Sequence, residues 1–210
     1  QYLIPHNEQA GELERLRHVL QINRERPVRI LYLAGPESIV TPVTGKTIMA
    51  KAAEELCRHY AMTSQVQVKV LHMPYLYGTD GAGGGQGFAP LFEQMEAGKL
   101  CFDEQAQSLL YALCSEDLAE LVPRIYDAWT PEWEEFTVPV VFDVNYSQLG
   151  EKFKQLCPGL QVTYGQDSPM YYPADDGLLR KRYGWFPRYA LLDDMPELYG
   201  RWKEARTPNR

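Results

Sequence analysis

Apolar residues along the chain fall into two alternating rhythms. Across Glu8–Arg24 they recur at helical spacing, with Leu13, Leu16, Val19 and Leu20 on one side and Glu12, Glu14, Arg15 and Arg17 on the other. The run VRILYLAG, Val28–Gly35, lies between Pro27 and a Gly-Pro pair and reads as a buried strand. A second helical pattern covers Thr44–Ala61 through Ile48, Met49, Ala52, Ala53, Leu56, Cys57 and Tyr60, with Thr44 placed to cap it. Val66–Gly78 then alternates before turning aromatic, the mark of one more strand. Strand and helix in alternation predict a parallel sheet with helices on its faces.

The remainder is less regular. Ser115–Trp129 opens with Ser and two acidic residues, a helix-start signal, and Thr137–Val144 reads as a strand. Tyr146–Gly159 reads as a helix stopped by Pro-Gly, Leu160–Gly165 as a short strand, and the C-terminal stretch as two short helices around YGWFP. Between the halves lies GTDGAGGGQGFAP, Gly78–Pro90. No GK[ST] closes this glycine-rich tract and Pro90 interrupts the approach to the next helix, so it reads as a flexible loop rather than a phosphate cradle. Its place after a strand's carboxyl end leaves a lid role open.

Composition narrows the function classes. A chain of 210 residues with 45% hydrophobic and 23% charged residues can bury a sizeable core. A net charge of −7 without a basic run argues against nucleic acid, which needs a concentrated positive field. No apolar run reaches the roughly 20 residues of a membrane span, and the first residues lack the basic and apolar regions of a secretory signal. Cys57, Cys101, Cys114 and Cys157 are scattered, as are His6, His18, His59 and His72, which predicts reduced thiols in a cytoplasmic setting and no metal site.

One pair carries candidate chemistry. Thr47 and Lys51 are four apart, so their side chains are expected on one helical face. A lysine one turn after a tyrosine lowers the phenol's proton affinity in some oxidoreductases, but here the earlier residue is threonine.

The order of landmarks resembles the later part of the extended short-chain dehydrogenases/reductases, the NAD-dependent nucleotide-sugar epimerases and dehydratases. The resemblance rests on HMPYLYG at Pro74, Tyr77 and Gly78, on SEDLAELV at Asp117, and on YGWFP at Gly184, Trp185 and Pro187. It implies an α/β fold: a partial Rossmann-like parallel sheet, built from the family's later strands, with a small C-terminal α+β subdomain. Residues 1–78 would form the truncated Rossmann-like part. Residues 79–210 would interleave the remaining Rossmann elements with a substrate-type subdomain in one compact unit. The family's opening glycine-rich strand-turn-helix has no counterpart ahead of the first helix. Two explanations fit: that part lies upstream of Gln1, the expectation taken here, or the chain is reorganised so that its N-terminal helix or a partner covers the sheet edge. NAD(P) is expected only where an upstream segment completes the fold.

Carried over by position, Lys51 retains the family lysine, Thr47 replaces the catalytic tyrosine, and Ala34-Gly35 stands where a Ser or Thr hydroxyl is required. Lys51 and Pro74 would be relics of cofactor contacts, and Tyr75, Tyr77 and Trp185 would line a substrate site. A threonine hydroxyl does not ionise near neutral pH and cannot replace a phenol as general acid/base. The expectation is a catalytically degenerate domain that binds, regulates or scaffolds, with a nucleotide-sugar, a protein partner or a second copy as its ligand. Polysaccharide or cell-envelope sugar biosynthesis is the context the family suggests. Two other readings stay open: an NAD-dependent enzyme with its acid/base relocated to Tyr32, Tyr75, Tyr77 or His72, and an assembly piece that binds no small molecule.

Overall fold

A computed structural model describes residues 2–5, 12–39, 45–78, 88–167, 171–173 and 177–206. The chain begins with β1 (Tyr2–Pro5), α1 (Glu12–Asn23), β2 (Arg29–Ala34), α2 (Gly45–Thr63) and β3 (Gln67–His72). It continues through β4 (Tyr75–Tyr77), α3 (Ala89–Glu96), β5 (Lys99–Glu104), β6 (Leu109–Leu110), β7 (Ala112–Cys114) and α4 (Ser115–Asp127). Then come β8 (Glu134–Thr137), β9 (Val144–Asn145), α5 (Tyr146–Leu156), β10 (Gln161–Asp167), α6 (Leu178–Tyr183) and α7 (Leu191–Arg206). The elements form two compact units that share the chain in turns. The first holds residues 1–74, 124–139 and 172–185; the second holds 75–123, 140–171 and 186–210.

In the first unit a parallel sheet runs β1-β2-β3-β8. Period-two alternation divides its residues between two faces. Ile30, Tyr32 and Ala34 of β2 join Val68 and Val70 of β3 in one core, together with Leu16 and Leu20 of α1 and Ala53 and Cys57 of α2. On the other face Lys69, fully buried, meets Glu134 directly across the β3–β8 pair. Glu134 also binds Arg182, and the Lys69 ammonium lies 5.2 Å from the Trp129 ring centre. Burial, then the Arg182 charge, holds the Lys69 pKa down to about 8.

The second unit pairs β10 with β5, β4 with β7 and β6 with β9. Its core gathers Phe92, Met95, Phe102, Leu149, Phe153 and Met195, all buried. α5 starts where Asn145 accepts the Gln148 amide at 2.8 Å and the Gln148 side chain accepts the Asn145 amide at 2.9 Å. This reciprocal cap satisfies two amides that the helix cannot.

The α/β class, the parallel sheet and both N-terminal helical patterns are present. Two strand expectations change. The single strand expected over Val66–Gly78 ends at His72, and a separate strand resumes at Tyr75. Pro74 lacks an amide and restricts Met73, so the ladder breaks there. The strand expected over Thr137–Val144 lies earlier, at Glu134–Thr137, because Pro139 cannot donate to a continuing ladder. The expected cap at Thr44 and the body of the glycine-rich loop lie outside the described residues.

Candidate functional site

The first unit's strands present their carboxyl ends together: Ala34, His72 and Thr137 stand in register across β2, β3 and β8. Ligands of open α/β sheets bind outside such ends. Beyond β2 the chain makes a 3₁₀ turn, Pro36–Ser38, whose three residues are buried. Ser38 Oγ donates to the Gly35 carbonyl at 2.9 Å and lies 2.9 Å from His72 Nδ1. A hydroxyl carries one proton, so with that proton on Gly35 the imidazole N–H donates to Ser38.

Carboxylates flank the ring. Glu54 Oε1, from α2, is 3.3 Å from Nδ1, and this buried oxygen has no hydrogen bond of good geometry. Glu135 Oε2 is 3.9 Å from Nε2. Glu135 is in turn held by Arg58 at 2.5 Å and by the Trp133 indole at 3.0 Å. The His72 carbonyl accepts the Val138 amide at 2.9 Å and the Tyr172 hydroxyl at 3.1 Å. Burial pushes the Tyr172 phenol above its usual pKa. In this arrangement Ser38 accepts from the imidazole instead of losing its proton to it. It is also almost wholly buried, so the cluster is not set up for nucleophilic attack.

The residues expected to carry chemistry are dispersed. Thr47 is 1% exposed, whereas Lys51, one turn on, is exposed. The buried stripe of α2 runs Thr47, Ala50, Ala53 and Cys57, and Lys51 falls outside it, so the two do not share an environment as their spacing suggested. Ala34 is buried and offers no hydroxyl at the end of β2. Pro74 is buried where the first unit ends. Trp185 is 2% exposed and packs within the same unit.

Tyr75 and Tyr77 belong to the second unit. Tyr75 is 39% exposed; Tyr77 is buried and donates to Asp194 Oδ2 at 2.8 Å. Burial, then that carboxylate, drives the Tyr77 pKa upward, which unfits it to give up a proton near neutrality. Across the strand pair from Tyr77 is Cys114, whose thiol donates to Glu116 at 2.6 Å and is pushed up to about 12, chiefly by burial.

Asp117 is fully buried and accepts the Arg188 and Tyr189 amides, each at 3.1 Å. It fastens the segment after YGWFP to α4. Asp117→Ala leaves two partly buried amides without their acceptor, and a loss of about 1–2 kcal/mol is expected in urea unfolding. Asp117→Asn, which keeps an acceptor, should recover part of that loss.

No protein-family model matches the chain, and no curated protein matches its sequence. The fold is nevertheless shared with solved structures. The UDP-glucuronic acid 4-epimerase of Bacillus cereus, solved with UDP-glucuronic acid and NAD, superposes with a TM-score of 0.77 at 12% identity, over 92% of this chain and 67% of that one. The dTDP-glucose 4,6-dehydratase of Bacillus anthracis, solved with NAD, gives 0.78 at 14% identity, over 97% and 73%. A GalE-like L-threonine dehydrogenase from Cupriavidus necator gives 0.69 at 19% identity, over 90% and 78%. The chain thus has the fold of the NAD-dependent nucleotide-sugar epimerases and dehydratases. Identities this low establish the fold alone.

Among the described residues no helix is long and apolar enough to cross a membrane, and no three His, Cys, Asp or Glu side chains converge to hold a metal ion.

Sequence reasoning missed Ser38, Glu54 and Tyr172. Glu54 had a signal, since a carboxylate at the spacing of Ala50 and Cys57 breaks the apolar stripe of α2.

Proposed function

We propose that this chain is a catalytically degenerate nucleotide-sugar epimerase/dehydratase-like domain that acts as a binding, regulatory or scaffolding module. The observation that carries the reading is the burial of Thr47 at the place of the family's phenol, with Lys51 turned to solvent. Of the candidate replacements, Tyr77 is bound to a carboxylate and its pKa is raised. The buried His72 ring faces Ser38 and Glu54 on one nitrogen and Glu135 on the other. The ligand proposed is a nucleotide-sugar, with NAD(P) bound only if a further segment supplies a phosphate cradle. A protein partner or a second copy completes the reading, in the cytoplasm and in polysaccharide or cell-envelope sugar synthesis.

Thermal unfolding with UDP-, GDP- and dTDP-sugars, NAD(H) and NADP(H) tests it. A ligand that binds only the native state adds about 2.7 kcal/mol at a hundredfold excess over its Kd, a midpoint rise of several degrees. The expected result is a rise with at least one nucleotide-sugar, none with a dinucleotide, and no turnover. A dinucleotide response with turnover would replace this reading by a working enzyme whose acid/base has moved. Silence from every nucleotide would leave an assembly role.

A further inference from the structure

Tyr172 belongs to none of the positions carried over from the family, yet it reaches the centre of the first unit. It lies 100 residues from His72 in sequence, and its hydroxyl donates to the His72 carbonyl at 3.1 Å. That carbonyl is the last of β3, at the sheet end where ligands of such folds approach, and it also holds the Val138 amide from the segment after β8. Beside it the imidazole is 5% exposed, with Ser38 and Glu54 on one ring nitrogen and Glu135 facing the other. Tyr171, its neighbour, is 62% exposed, and Pro173 is exposed too, so of these three described residues Tyr172 is the one that turns inward.

A phenol inserted from a distant segment, bonded to a strand-end carbonyl, occupies space that the carboxyl end of a parallel sheet otherwise offers to a ligand. We propose that Tyr172 is a built-in plug: it shields His72 and the end of β3, and a ligand reaches them only when Tyr172 withdraws. Its relevance to ligands rests on the binding role proposed above, but the shielding stands or falls by itself. The hydroxyl helps to fix the plug through its bond to the His72 carbonyl, and the ring supplies the cover. Removing the hydroxyl should loosen the plug, and removing the ring should open it.

Carbethoxylation of histidines by diethyl pyrocarbonate, read by peptide mass spectrometry on the full chain, tests the shielding without any ligand. The exposed His18 and His59 are internal references that should label at one rate in every variant. The expected result is slow labelling of His72 in the wild type, a rise of tenfold or more relative to His59 in Tyr172→Ala, and a smaller rise of about threefold in Tyr172→Phe. Tyr172→Phe loses only one oxygen and remains interpretable if the alanine variant does not fold. His72 labelling within twofold of the wild type in a folded Tyr172→Ala, or in Tyr172→Phe where the alanine variant is unfolded, overturns the plug. The same variants in the nucleotide titration separate the two ideas. An opened His72 with no nucleotide response retains the plug and counts against the binding role, whereas a nucleotide response with His72 still protected does the reverse.

Discussion

Glu134→Ala is expected to destabilise the first unit by about 3–5 kcal/mol, the cost of leaving a buried charge without its partner. Lys69 is fully buried, and its ammonium has Glu134, the Thr130 hydroxyl at 3.1 Å and the face of Trp129 around it. The hydroxyl and the ring together do not replace a full negative charge. Arg182 loses the same carboxylate, but at 36% exposure it can turn to water. The urea midpoint should fall by on the order of 1–2 M.

A second variant separates the pair's worth from the penalty of breaking it. Lys69→Met with Glu134→Leu removes both charges and should return to within about 1 kcal/mol of the wild type, because desolvating an ion pair offsets most of its attraction. Wild-type stability should also rise with pH through Lys69. The folded Lys69 has a pKa of about 8 against about 10.5 for a free lysine, so between these values the unfolded chain holds a proton that the folded chain has released. Stability therefore gains from this group as pH rises through that window. A Glu134→Ala loss below about 1 kcal/mol at pH 7 would mean that Lys69 is solvated and the burial argument is wrong.

Lys69 also marks the limit of what the sequence discloses. QVKVLH alternates well enough to be recognised as a strand, but the alternation does not say that both of its faces are covered. A lysine between valines reads as a solvent-facing residue, and only the register that sets it across from Glu134 shows otherwise. The helices α1 and α2 were legible because their apolar stripes obey a local rule. The strands β5 and β7 were not, since each finds its partner far along the chain.

The candidate site follows the same division. Positions fixed by local order, such as Thr47, Lys51 and Tyr77, could be named in advance. Their environments could not, because the burial of Thr47 and the carboxylate on Tyr77 depend on elements distant in sequence. The Ser38–His72–Glu54 cluster joins a turn, a strand and a helix, and none of the three predicts the others. Glycines give the reverse case, in which one short-range fact has a large long-range consequence.

Gly165→Ala should cost more than about 3 kcal/mol, above the usual range for an added methyl, because the obstacle is backbone and cannot rotate away. A Cβ at Gly165 would stand 1.9 Å from the Asp103 carbonyl oxygen and 2.6 Å from its carbon. Those atoms belong to β5, which pairs with β10 in parallel from Gln161 to Tyr164 and then shifts register before Asp167. The close approach falls within that irregularity, where only a residue without a side chain lets the two backbones remain adjacent. The methyl group would pry β10 from β5 beyond Tyr164, and with it the stacking of Phe102 on Tyr164, whose ring centres are 5.8 Å apart. Gly200→Ala is the matched control: it lies inside α7, a Cβ there meets nothing within 4 Å, and alanine should stabilise the helix by up to about 1 kcal/mol. Urea unfolding followed by near-ultraviolet circular dichroism reads both, since Phe102, Tyr164 and Trp202 report on the second unit. Gly165→Ala within about 1 kcal/mol of the wild type would show that β5 and β10 do not meet at this distance in solution. The pairing that shapes the second unit would then have to be redrawn.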